Sequence, residues 1–252
     1  MASKAVGVQV PPFAPSKRKR FLEAFFFMRT IYFDMAGEFV IMVTIERGGF
    51  LDIRRIRDTN DQRFTKTALE ERGAFLIQGE VPCSIEITKN HEAVVDLEDM
   101  TYLDAVLDEF RFYAEHITRF HDREGNVLRE FPPVETFRCK LEALQPSQFC
   151  VAEDRVHALH SRIQSPEDVC IPVKNTKEGL IMLDGHTRAY IANQKGFAHV
   201  RCFYADTGED IIIYVNEARK RGIKGVENLE SLPEDAFHRT WVQFCDNVQN
   251  NH

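Results

Sequence analysis

The sequence predicts an α+β fold organised as two domains. Three observations carry that expectation. Short β-branched and aromatic runs alternate with turn residues from Arg29 to Val95, and one long amphipathic stripe follows them. Past Pro132-Pro133, a strand–helix–strand pattern centres on the stretch from Leu180 to Tyr204.

The elements follow in order. Thr30–Phe33 and Glu38–Ile45 read as strands flanking Met35-Ala36-Gly37, a hairpin turn, and Gly48-Gly49 turns the chain again into Phe50–Arg57. Asp58–Arg63 is polar and reads as a loop. Ala74–Ile77, Ser84–Thr88 and Ala93–Val95 add shorter strands, with Gly79 and Pro82 between the first two. Met100, Leu103, Leu107, Phe110, Ala114 and Ile117 recur at spacings of three and four, one apolar stripe of a helix, and Asp96, Glu98 and Asp99 place acids near its start. Asp122–Asn126 turns the chain out of that helix. Residues 29–131 thus read as a small α+β domain of unassigned role. Its one basic cluster, Arg54, Arg55 and Arg57, fits a solvated strand face.

The second domain, residues 134–252, opens with a strand at Thr136–Cys139 and a turn over Leu141–Gln148, where Pro146 bars a continuous helix. Glu153–Ile163 reads as a helix with Val156, Leu159, His160 and Ile163 on one face. Ile171–Lys174 is a strand whose Pro172 points to an edge or strand-start position. Leu180–Leu183 runs as a buried strand into a tight turn, a helix continues through Lys195, and Gly196 is placed to stop it. His199–Tyr204 is the next strand. Helices are expected over Glu209–Arg221 and over Leu229–Asn247, the latter interrupted at Pro233.

Composition narrows the function classes. The chain has 252 residues, 44% hydrophobic and 28% charged, the balance of an ordinary globular protein. A formal net charge of −7 speaks against wholesale electrostatic binding of nucleic acid, so a nucleic-acid partner is not favoured. No run approaches the length of a membrane span. The six cysteines are dispersed without a CxxC pair, which predicts reduced thiols and a cytoplasmic protein. Residues 1–28, with Pro11, Pro12, Pro15 and Lys17–Arg20, read as a disordered arm. Its short apolar run is interrupted by Glu23 and lacks a cleavage site, unlike a signal peptide, and Met28 is an alternative native start.

The chemistry concentrates in Asp184-Gly185-His186-Thr187-Arg188. An acid, a glycine, an imidazole, a hydroxyl and a guanidinium stand side by side where a strand ends and a helix begins, the place where free backbone N–H groups favour an anion. Arg188 suits a phosphate oxygen, or a structural salt bridge to Asp184 or a surface acid. Thr187 suits a phosphate or a helix cap. His186 can donate to phosphate or move a proton. Asp184 can hold Mg2+, activate a hydroxyl or accept backbone N–H bonds. His157 and His160 lie three apart but have no partner ligands at convincing spacing, so they read as packing or surface histidines. Trp241, with Phe237 and Phe244, reads as the anchor of a C-terminal helix.

At Leu183-Asp184-Gly185-His186-Thr187-Arg188 the chain resembles the ParB/sulfiredoxin-like superfamily. Leu144-Gln145-Pro146 matches its opening L-x-P turn, Ile171-Pro172-Val173 its I-P-V strand, and Gly196 with Val200 the G-x-x-x-V after the helix. The likeness covers about residues 134–206 and implies a mixed sheet with helices. It is nearest to the D-G-H-x-R version found in the group of free serine kinases and ParB-like nuclease domains. The kinase version implies ATP or ADP with Mg2+, held by Gly185, His186, Thr187 and Arg188 with Asp184 as metal ligand, and phosphoryl transfer to a small hydroxylated substrate such as free serine, with Asp184 and His186 as catalytic residues. The kinases carry a glutamate base after the L-x-P turn, where this chain has Ser147 and Gln148, so Glu153 is the expected substitute, with Asp154 beside it. The sulfiredoxin branch needs a cysteine where His186 stands. Partitioning proteins need a helix-turn-helix reader, for which the acidic final 45 or so residues leave little room. A non-catalytic, DNA-associated or ligand-sensing regulatory module is the alternative, and a nuclease ranks third.

Overall fold

The computed structural model describes residues 29–33, 39–45, 49–56, 58, 60–112, 114–205 and 211–250, and it is an α+β structure. The expected arm with its alternative start at Met28, the turn at 35–37 and the start of the helix expected from Glu209 lie outside the described residues.

The N-terminal half builds one eight-stranded sheet whose spatial order is its chain order. Its strands are β1 (Arg29–Phe33), β2 (Phe39–Ile45), β3 (Gly49–Arg55), β4 (Ala74–Ile77), β5 (Val81–Lys89), β6 (Glu92–Leu97), β7 (Arg119–His121) and β8 (Val127–Glu130). Every neighbouring pair is antiparallel except β6 and β7, which are parallel. Parallel neighbours need a crossover, and the helix α2 (Leu103–Arg111), entered through a 3-10 turn at Met100–Tyr102, supplies it. Its Leu103, Val106, Leu107 and Phe110 are buried on Ile53, Phe75, Ile85 and Phe120 of the sheet.

This helix is shorter than its apolar stripe. It ends at Arg111, Met100 is exposed, and Ile117 is buried from a turn rather than a helix. The stripe continues past the helix because Ile117 packs in the same core as Phe120 on the following strand. Two features have no counterpart in the sequence reading. One is the pair β7 and β8, and the other is the short helix α1 (Lys66–Glu70), capped by Thr65, whose hydroxyl accepts from the Ala68 N–H at 3.1 Å.

The C-terminal half builds a five-stranded mixed sheet from β9 (Phe137–Lys140), β10 (Leu144–Gln145), β12 (Cys170–Thr176), β13 (Gly179–Met182) and β14 (His199–Tyr204), in the order β10-β13-β12-β14-β9. A separate parallel pair joins β11 (Cys150–Ala152) to β15 (Glu230–Leu232). The helices are α3 (Glu153–His160), α4 (His186–Gln194), α5 (Ile211–Lys220), α6 (Glu234–Phe237) and α7 (Gln243–Asn250), with a π turn at His238–Val242 joining the last two.

Three expectations need correction here. Pro172 lies in the central strand rather than at an edge. It is tolerated because β12 and β13 part company there: the Leu183 N–H donates to the Pro172 carbonyl at 2.9 Å, and the proline has no N–H to return the bond. The ladder stops, and Leu183 is released into the turn that precedes α4. Residues 230–232, expected as helix, are strand, because Cys150–Ala152 offers them a parallel partner. His160 is exposed rather than on the buried face with Val156, Leu159 and Ile163, as the helix ends at His160 and Ile163 is buried beyond it.

The anchor expected at the C-terminus is present: the Trp241 ring meets Phe149 edge-on at 5.0 Å, and Phe237 and Phe244 join the same core. All six cysteines are free thiols. No helix among the described residues is long and apolar enough to cross a membrane.

Candidate anion-binding site

The turn begins where β13 leaves the sheet. Gly185 caps α4 in the left-handed region, φ +80°, which a side chain rarely adopts, and a Cβ there would come to 2.6 Å of the Ile171 Cδ1. The close approach that glycine permits is therefore to the protein's own strand β12. His186 starts the helix, so Thr187 and Arg188 occupy its second and third positions. Thr187 is not the cap. Its hydroxyl has no hydrogen-bond partner among the described residues.

His186 is buried, and its ring is committed inward. The Ser147 N–H donates to Nε2 at 3.1 Å and the Gln148 N–H at 3.3 Å, while the Ser147 hydroxyl donates to the Met182 carbonyl at 2.7 Å. An imidazole nitrogen that accepts two N–H bonds carries no proton, which fixes the neutral Nδ1–H form. Burial pushes its pKa down to about 4, with Asp184 pulling the other way and Arg72 adding to the fall. His186 thus ties the start of α4 to the turn after β10, and Nε2 is not free to donate to a phosphate or shuttle a proton.

Asp184, Gly185, His186, Thr187 and Arg188 all line one small cavity of about 60 Å3 between the two halves. The C-terminal half adds Gln148, Ala152, Arg155, Leu159 and Phe237, and the N-terminal half adds Arg55, Glu71, Arg72, Ile87, Phe110 and Ala114. Glu153 is not among them. It is exposed at the first turn of α3, with Asp154 beside it, while Gln148 does face the cavity and its amide donates to the Cys150 carbonyl.

The halves are clasped beside this cavity by α3 packing on α1. Arg162 donates to the Glu71 Oε1 at 2.7 Å and to the Thr67 hydroxyl at 3.0 Å, and it pairs with Glu70 at 3.2 Å. Arg155 donates to the Glu70 carbonyl at 2.9 Å. The other Glu71 oxygen accepts the Ile87 N–H at 2.7 Å, so both its oxygens are occupied. Arg55, which the sequence reading places on a solvated face, is instead mostly buried, with Glu109 at 3.6 Å.

That leaves Arg72, Arg155 and Arg188 around one carboxylate, Asp184. Burial alone would raise the Asp184 pKa, but the charges of Arg72 and Arg188 and the Gly185 N–H outweigh it and hold the carboxyl below its ordinary value. The side chains of Arg72 and Arg188 make no hydrogen bond or ion pair among the described residues, so the salt-bridge alternative for Arg188 has no partner within bonding distance there. Arg155 is pushed well down by burial and by its neighbours Arg72 and Arg188. An arginine cluster of this kind is stabilised by an anion placed among its guanidinium groups.

His116 is a further residue that sequence reasoning missed. It leads into β7, its ring lies 5.3 Å from that of Phe203 on β14, and its Nδ1 is buried without a partner. Burial, with Arg188, Arg201 and Arg111, pushes its pKa down to about 3. Neither His116 nor the arginines at 72 and 155 belong to a local motif. Only the fold brings them to the turn.

Among the described residues, no group of three or more histidine, cysteine or acidic side chains is gathered to hold a metal. Asp184 alone could serve, as one carboxylate beside phosphate oxygens suffices for Mg2+.

No protein-family model and no curated protein matches the chain. Among solved structures it is similar to protein Atu1540 from Agrobacterium tumefaciens, at 19% identity and a TM-score of 0.30, over 38% of this chain and 62% of that one. The chain therefore matches less than two thirds of that protein's length, and a likeness of this size carries no inference about fold or activity.

Proposed function

We propose that this chain binds the phosphates of a nucleotide, ATP or ADP, at the Asp184–Arg188 turn, within a ParB/sulfiredoxin-like domain that spans about residues 134–206 and follows a separate α+β domain over 29–131. The observation that carries this is Arg188, third residue of a glycine-capped helix, facing a cavity with surplus positive charge, its side chain without a hydrogen bond or ion pair among the described residues. The size of the cavity refines the fit. A space of about 60 Å3 is enough to admit a phosphoryl group.

Bound Mg2+ would supply neutralisation of phosphate charge, and Asp184 is the residue to hold it. The same carboxylate is the one group in the cavity free to accept a substrate hydroxyl proton. Gln148 cannot act as a base, Glu71 has both oxygens engaged, and Glu153 stands outside. Phosphoryl transfer to a small hydroxylated substrate, free serine among them, is what the resemblance implies. The crowding of roles onto Asp184 favours the alternative, a non-catalytic ligand-sensing module.

Calorimetry with ATP and ADP, with and without Mg2+, tests the binding, and incubation with amino acids including serine tests turnover. Arg188→Ala is expected to weaken nucleotide binding by about tenfold or more, the loss of a charge-assisted phosphate contact. Binding without turnover leaves the sensing role. Failure of both nucleotides to bind removes the phosphate site.

A further inference from the structure

Arg72 is the most unusual backbone position at the cavity. It follows α1 with φ +57°, one of two residues other than glycine at positive φ among the described residues. Its N–H donates to the Leu69 carbonyl at 3.2 Å and the next N–H, of Gly73, to the Ala68 carbonyl at 2.7 Å. This is the left-handed closing position of a helix, where glycine is the ordinary occupant. Glycine is present one residue later for a different reason: a Cβ on Gly73 would come to 1.9 Å of the Ile85 carbonyl oxygen.

The chain thus holds an arginine in a conformation that disfavours it, and its exposed side chain makes no hydrogen bond or ion pair among the described residues to offset the strain. Its charge also adds to those of Arg155 and Arg188 across the same cavity. A cation is mildly favoured at a helix C-terminus, but α1 has only five residues, and the effect is small there. The return within the protein is the charge of Asp184 across the cavity, and a strained cation facing that cavity points to a ligand contact.

We propose that the cavity takes a doubly charged terminal phosphoryl group from both halves of the chain at once, with Arg72 as the cation contributed by the N-terminal half and Arg188 as that of the C-terminal half. The four arginines on the cavity lining, Arg55, Arg72, Arg155 and Arg188, exceed its two carboxylates, Glu71 and Asp184, by two positive charges, the complement of a phosphoryl dianion. This deepens the phosphate-binding reading above and rests on it. It assigns a ligand contact to a half of the chain that the motif does not reach, and it makes an intact junction between the halves a condition of binding.

The test uses the full chain and three probes: ADP, pyrophosphate, and adenosine as a control without phosphate. Arg72→Gly removes the guanidinium while supplying the residue the backbone prefers. Without ligand it is expected to melt about 2 °C or more above the parent, from relief of strain and of repulsion. Its affinity for ADP and pyrophosphate is expected to fall about tenfold or more, with Arg72→Lys intermediate and adenosine bound by none of the proteins. Unchanged affinity in Arg72→Gly beside a clear loss in Arg188→Ala overturns the shared clamp and leaves the phosphate site at the turn standing. A parent protein that binds neither ADP nor pyrophosphate overturns both.

Discussion

The two rims of the cavity reach a similar chemical end by opposite means. On the C-terminal side, a left-handed glycine starts a nine-residue helix, and Arg188 projects from its first turn, where the helix dipole favours an anion. On the N-terminal side a five-residue helix ends, the dipole is the wrong sign, and the cation stands on the left-handed residue itself. The first rim needs no external fixing beyond His186 on the turn after β10. The second is positioned by Arg155 of α3 and Arg162 just beyond its end, both reaching across. One rim is organised by its own sequence, and the other by its contact with the rest of the molecule.

The glycines on the two rims separate these cases most sharply. Gly73→Ala sets a Cβ 1.9 Å from a backbone oxygen of β5, which can yield only by moving the strand, and a loss of about 3 kcal/mol or more is expected. Gly185→Ala meets only the end of the Ile171 side chain and suffers chiefly from its positive φ, for about 1–2 kcal/mol. Urea melts of the two variants check the order. Equal losses would mean that the N-terminal rim can relax around an added methyl group, and Arg72 would then be less firmly placed than its backbone suggests.

The same contrast governs what the sequence disclosed. The turn at 183–188 was legible because its residues are consecutive, and so were most strands of the antiparallel meander, each flagged by its own apolar run and turn. The helix over Leu103–Arg111 was legible from periodicity, although its end was not, since Ile117 prolongs the stripe from a turn. Strand β15 was hidden because its partner Cys150–Ala152 lies some eighty residues earlier, and parallel pairing at that distance leaves no local mark. Arg72, Arg155 and His116 were hidden in the same way. Their residue types are ordinary, and only tertiary packing places them by Asp184. The inward bonding of His186 was hidden for another reason: a histidine in such a turn reads the same whether its Nε2 faces a ligand or the backbone of a neighbouring turn.

The two histidines extend the comparison to pH. His186 in the C-terminal half and His116 in the N-terminal half both have pKa values lowered by burial, to about 4 and about 3, from 6.5. In each case the unfolded chain takes up the proton first, so stability is complete above about pH 6.5. It falls as pH drops toward those folded values, and the direction for Asp184, lost at still lower pH, is the same. His186→Gln and His116→Gln are each expected to flatten part of the slope of melting temperature against pH between 6.5 and 4. His186→Gln should also lower stability at neutral pH, because the Ser147 and Gln148 N–H groups lose their ring acceptor. A slope unchanged in both variants would show that neither ring is held neutral.

The smallest effect expected is at Glu153. It is exposed in the first turn of α3 and outside the cavity, so its contribution is to the helix dipole, a few tenths of a kcal/mol up to about 1. Glu153→Ala should leave nucleotide affinity and any turnover unchanged, whereas Asp184→Asn should change both. The pair bears directly on the rims, because α3 carries Glu153 on its exposed first turn while Arg155, two residues on, faces the cavity. If turnover exists and Glu153→Ala abolishes it, α3 must shift on ligand binding and carry the carboxylate inward. The clasp of Arg162 on Glu70 and Glu71 would then have to loosen in the same movement, because α3 cannot shift while it holds α1.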